Sequence, residues 1–216
     1  MSDDSGQLSD PAARYRRRTE FLATVLLAFG SAVTSWSAYQ GSLWSGVQAT
    51  NYNQATARRM ESTRESTIAG QLGGVDVAMF MGWMNAYVAA NDKLQELFRS
   101  RFRPEFRQAF EEWLASNPLT NPKAVASPFQ LPSYRSEHLM RAIELDKEAE
   151  ALFQAGHRAN HVADSYIQGT VVLAMVLFFC GITQQFQHFQ PRLILLGLAT
   201  LLLLYGLSKI LPLPRA

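Results

Sequence analysis

The sequence predicts an all-α integral membrane protein with three transmembrane helices and an antiparallel helical bundle inserted between the first and second. Three observations carry this prediction. The 216 residues are 48% hydrophobic but only 18% charged, below the roughly 25% usual for soluble domains. Mean hydropathy is nevertheless near zero, which implies apolar spans combined with a hydrated part. Three stretches are long and apolar enough to cross hydrocarbon, which takes about 20 residues.

Residues 1–19 are expected to be a disordered cytoplasmic tail. It begins "MSDDSGQLSDPAA" and ends in an arginine cluster, Arg14, Arg16, Arg17 and Arg18. Residues 20–40 form the first expected span, with no charge in the 18 residues Phe21–Ala38. Trp36 and Tyr39, with Trp44 beyond, mark its exit, because aromatic side chains with polar tips concentrate at the membrane–water boundary. A cleaved signal peptide is the rival reading. Ala28, Ser31, Ala32 and Ser35 would let a second helix approach closely, within or between chains.

Residues 41–163 hold 13 basic and 13 acidic residues, and this balance excludes a nucleic-acid-binding surface. Gln40–Gly70 continues the first helix, Gly70, Gly73 and Gly74 mark a turn, and Val75–Phe102 forms a second helix. Pro104 opens a third, in which Phe106, Phe110, Trp113 and Leu114 recur at helical spacing. The four prolines of residues 117–133 exclude a helix there. The segment reads as a strap with Phe129 and Leu131 tucked in, or as a docking site for a partner together with Arg99 and Arg103. Tyr134–Ala163 is a long helix that runs into the second span. Val75–Ala90 competes as a fourth span, but it is short and contains Asp76.

Residues 164–183 form the second span, with Tyr166 at its boundary. Residues 184–192 are a short cytoplasmic loop ending in Arg192, residues 193–211 the third span, and residues 212–216 a tail. The arginines before the first span place the N-terminus in the cytoplasm and residues 41–163 outside it.

Candidate chemistry is sparse. His157 and His161 share a helix face with Asp164, a spacing that can hold a divalent metal, although boundary histidines more often hydrogen-bond headgroups or water. His138 and His188 are isolated. Cys180, alone in an apolar run, supports no disulfide or thiolate metal site. No nucleophile elbow, phosphate loop or redox motif is present, so neither an enzymatic activity nor a cofactor is expected.

The stretches "WSAYQGSLWSGVQA", "YNQATARRMESTRE", "RFRPEFRQAFEEWL", "SPFQLPSY" and "VLFFCGIT" together resemble a family of uncharacterised bacterial membrane proteins. The resemblance covers most of residues 20–211. It implies an N-terminal span, a helical insertion, a C-terminal two-span hairpin and a place in the bacterial inner membrane. It implies no activity, and the histidines of "HRANH" fall outside the pattern. The expected function is non-enzymatic: an extracytoplasmic bundle that binds a protein partner, a ligand or a second copy of the chain, as a scaffold or sensor would. An accessory subunit of a channel or transporter is the alternative.

Overall fold

The computed structural model describes residues 11–118, 120–186 and 188–216. It is 84% helical, and no strand occurs among the described residues. The helices are α1 (Pro11–Val88), α2 (Asp92–Arg101), α3 (Pro104–Ala115), α4 (Glu137–Thr183) and α5 (Phe189–Ile210), with a 3-10 turn at Pro128–Gln130. Parts of α1, α4 and α5 are each long and apolar enough to cross a membrane, and α1 packs against α4.

The chain divides into two compact units. One comprises the residues through Tyr52 together with Phe153–Ala216, and the other is Asn53–Leu152. The first unit closes on Tyr52 and Phe153, whose rings stack at 5.3 Å. It therefore includes helical residues that the sequence assigned to the inserted bundle.

In the first unit, the N-terminal part of α1 packs with the C-terminal part of α4 and with α5. Tyr166, Leu173, Val176, Cys180, Ala199, Leu203 and Ile210 form its core. Close approach depends on small residues. A Cβ added at Gly206 would lie 3.1 Å from the Leu173 side chain, and one at Gly169 would collide with Ile210. Ser37 hydrogen-bonds to the Tyr166 carbonyl at 2.9 Å and receives the Thr170 hydroxyl at 3.2 Å.

The second unit is organised by aromatic side chains. Phe80, Trp83, Phe102, Phe106, Phe110 and Trp113 are its buried cluster. In α3, Phe106, Ala109, Phe110 and Trp113 are all buried, as the helical spacing predicts. Pro104 occupies the first turn of α3, where its missing N–H costs nothing.

Three sequence expectations are corrected. First, helix begins at Pro11, so the arginine cluster is helical rather than part of a disordered tail; residues 1–10 lie outside the described residues. Tyr15 meets the Phe189 ring at 6.0 Å. Second, Gly70, Gly73 and Gly74 make no turn: α1 passes through them, and no glycine among the described residues has positive φ. Interior glycine costs about 1 kcal/mol relative to alanine; just beyond, Asp76 and Phe80 are held in tertiary contacts. Third, the helix expected over Val75–Phe102 breaks after Val88. Ala90 has φ 49°. Its N–H bonds to the Tyr87 carbonyl and that of Asn91 to the Ala86 carbonyl, the paired closure that ends helices with a left-handed residue. The Asn91 side chain then caps α2 through the Leu94 N–H at 3.1 Å.

Candidate functional site

The most ordered polar arrangement lies in the Asn53–Leu152 unit. Asp76, on α1, has a side chain only 2% exposed. A carboxylate in such a place needs charged or hydrogen-bonding partners. Arg103, between α2 and α3, supplies a two-pronged contact: Nε donates to Oδ1 at 3.0 Å and Nη2 to Oδ2 at 2.9 Å. The Tyr134 hydroxyl donates to Oδ2 at 3.0 Å. Burial, then the hydrogen bond to Asp76, pushes the Tyr134 phenol up to about 12. The hydrogen bond to Asp76 raises the Arg103 pKa further above its ordinary value. The cluster thus ties α1, the start of α3 and the end of the proline-rich segment together.

That segment straps across the aromatic cluster. Phe129 stacks on Phe106 at 5.1 Å and meets Tyr134 edge-on at 5.2 Å. Leu131 packs against the same cluster. The Trp113 indole donates to the Val125 carbonyl at 2.9 Å. Arg99 makes its own two-pronged contact with Glu111, at 2.7 and 2.6 Å. The apolar pair Phe129 and Leu131 thus packs on the core, and the guanidinium forks of Arg99 and Arg103 each meet a carboxylate of this chain. The signal for this was in the sequence, since an acid in the apolar run Val75–Ala90 requires a partner.

In the first unit, three of the four expected boundary aromatics face inward. Tyr166 is fully buried and its hydroxyl donates to the Pro214 carbonyl at 3.2 Å. The Trp44 indole donates to that same carbonyl at 2.9 Å. Trp36 meets Tyr166 edge-on at 5.8 Å and carries the Arg215 guanidinium over its ring at 5.8 Å. With the Ala216 N–H bonded to Gln40 at 3.1 Å, these residues clasp the C-terminal segment. Tyr39 alone points outward, 61% exposed.

Ala28, Ser31, Ala32 and Ser35 are all exposed. The inward face of α1 is instead Ala23, Gly30, Ser37, Gln40 and Gly41. Its glycines and its polar bond to Tyr166 allow the closer approach.

Arg14, Arg17 and Arg18 are exposed and line one shallow recess with Phe21. Arg16 lies 3.9 Å from Glu20. Arg192 is 5% exposed, with Nη2 lying 3.3 Å from Glu20; its Nη1 donates to Glu20 at 3.4 Å.

The rings of His157 and His161 meet at 4.6 Å, but Asp164 accepts from Asn160 at 3.0 Å. No group of three metal-ligating side chains converges among the described residues. His138 faces Glu65 at 2.6 Å across α4 and α1. No protein-family model, curated protein or solved structure matches this chain, and the comparisons do not support the resemblance to a bacterial membrane-protein family.

Proposed function

We propose that this chain is a non-enzymatic integral membrane protein, anchored by three spans, whose Asn53–Leu152 unit binds a protein partner outside the cytoplasm. One observation carries the reading. The unit's aromatic side chains and arginine forks are engaged internally, while Met60, Leu139, Met140 and Ile143 stand exposed on α1 and α4. Met60 reaches 70% exposure. Apolar side chains left to solvent on helices whose other contacts are complete favour association with another protein surface.

The membrane reading is supported by the outward faces of the three apolar helices. Phe21, Phe29, Val171, Phe178, Ile194 and Leu201 are all exposed, and hydrocarbon is the solvent that accepts them. The arginines before the first span favour a cytoplasmic N-terminus in a bacterial inner membrane.

Two experiments test this. In a Cys180→Ser background, a cysteine at Ser116 is labelled by a membrane-impermeant maleimide added outside intact cells. Labelling only after lysis overturns the orientation. Replacing residues 20–40, 164–183 and 193–211 by unrelated spans retains the co-purifying partner, and Met60→Asp with Ile143→Asp loses it. If the span replacement loses the partner and the aspartates do not, the spans are the working part and the chain is an accessory subunit.

A further inference from the structure

We propose that the outward face of the first half of α1 is a binding site for one anionic phospholipid. Arg14, Arg17 and Arg18 hold its phosphate, and one acyl chain lies along Phe21, Val25, Ala28 and Ala32. This rests on the membrane reading above.

Spacings of three and four residues put Arg14, Arg17, Arg18 and Phe21 on one helix face. All four are exposed and line a common recess. The same spacing continues through Val25, Ala28 and Ala32, also exposed, while Thr19, Ala23 and Gly30 are buried on the opposite side. Glu20 is the single carboxylate between Asp10 and Glu61, and it is directed to Arg16 and Arg192. No ion pair among the described residues occupies Arg14, Arg17 or Arg18. Three guanidiniums without an ion-pair partner among the described residues, at the head of an apolar stripe, match a phosphodiester, which the planar fork binds through two parallel N–H donors.

Lengths agree with this assignment. Phe21 to Ala32 spans about 16 Å at 1.5 Å per residue, close to one leaflet of a hydrocarbon core about 30 Å thick. The two alanines give an acyl chain a place to lie against the backbone, with Phe29 rising beside it.

A second copy of the chain is the competing occupant, since small residues also let helices approach. Copies inserted with one orientation can pair along this face only in parallel. That pairing sets two arginine triplets against each other with no carboxylate of the face between them among the described residues. Like charges at close range oppose it, so the charge distribution selects the lipid.

The full chain is purified in mild detergent and its retained lipid is read by native mass spectrometry. The probes are dioleoyl phosphatidylglycerol, dioleoyl phosphatidylcholine and inorganic phosphate. The expected result is about tenfold preferential retention of the phosphatidylglycerol. Arg14→Gln with Arg17→Gln and Arg18→Gln abolishes the preference, and excess inorganic phosphate does not displace the lipid. Ala28→Leu with Ala32→Leu leaves every arginine in place and also weakens retention. Circular dichroism checks that each variant keeps its helix content, and the alanine pair carries the test if the arginine variant does not fold. Equal retention by the wild type and both variants overturns the site. So does displacement by inorganic phosphate, or a dimer formed in phosphatidylcholine that the leucines dissociate. Failure here is separable from failure of the membrane reading: a chain that stays dispersed without detergent sinks both, whereas a detergent-dependent chain without lipid preference sinks this site alone.

Discussion

The two units of this chain are built with opposite distributions of polarity. In Asn53–Leu152 the interior is aromatic, and charged residues such as Arg58, Arg59, Glu61 and Glu150 are exposed. In the first unit the exterior carries Phe21, Phe178, Ile194 and Leu201, while Thr19, Ser37, Gln40, Thr183 and Arg192 are buried. The same backbone solution, long packed helices, serves both. What differs is which side chains the surroundings must solvate. Of the buried polar groups in the first unit, Ser37 is held by the Tyr166 carbonyl of a neighbouring helix, whereas Thr19 and Thr183 bond back to carbonyls of their own helices. In the second unit the buried polar cluster is a charged pair, and its neighbours are aromatic.

The comparison breaks most sharply at Asp76. Asp76→Ala leaves Arg103 and Tyr134 without their acceptor beneath the strap, and removing one partner of a buried pair costs about 3–5 kcal/mol. Thermal unfolding followed by the fluorescence of Trp83 and Trp113, with Trp36 and Trp44 replaced by Phe, should show the loss. Asp76→Leu with Arg103→Met should recover part of it, because an apolar pair leaves no orphaned charge. A single variant that unfolds like the wild type would show that the cluster does not hold the strap.

The next largest effect distinguishes the two surroundings directly. Leu201 on α5 is 67% exposed. In water, Leu201→Arg changes stability by less than about 0.5 kcal/mol, as ordinary surface substitutions do. At the middle of a span it costs about 2.5–3.5 kcal/mol of insertion free energy. A glycosylation-reporter assay of membrane insertion reads the difference, and failure of the unaltered α5 to insert would place it outside hydrocarbon.

Much of this division was legible from residue pattern alone. The repeat Phe106–Phe110–Trp113 and the four prolines after Asn117 each report a local constraint, and the buried face of α3 and the non-helical segment after it lie where those constraints put them. What was not legible depends on distant partners. Nothing near Gly70–Gly74 in sequence says that the helix will continue through them to the partners of Asp76 and Phe80. Trp44 and Tyr166 read as boundary aromatics because their tie to Pro214, across 170 and 48 residues, is set by how α5 returns. The face of α1 that packs within the chain was not legible for the same reason. Both faces carry small residues, and only the positions of Tyr166 and Leu177 on α4 choose Gly30 and Gly41 over Ala28 and Ala32.

Alkaline pH sharpens the comparison by acting on one cluster. Tyr134 is raised from its ordinary value near 10 to about 12. The folded state therefore holds this proton more tightly than the unfolded chain does. The stabilisation is complete below pH 10 and is lost as pH rises through 12. Denaturant midpoints should fall across this window, and Tyr134→Phe should remove the part of that fall that belongs to Tyr134. A midpoint equally steep in pH for the phenylalanine variant would assign the dependence to other tyrosines.

The smallest effect has the opposite sign and tests the break between α1 and α2. Ala90 holds φ 49°, a left-handed conformation that costs a residue with a Cβ about 1–2 kcal/mol. The hydrogen bonds from Ala90 and Asn91 back to Tyr87 and Ala86 fix that conformation, so the strain cannot relax while the helix ends there. Glycine adopts it freely but loses more backbone entropy on folding. The two terms leave Ala90→Gly stabilising by about 0.5–1 kcal/mol, read as a rise in the unfolding midpoint of the Trp83 and Trp113 signal. The gain should be absent from any transition reported by Trp36 and Trp44 alone. A destabilised glycine variant would mean that α1 continues past Val88 into α2, which would restore the uninterrupted helix read from Val75–Phe102.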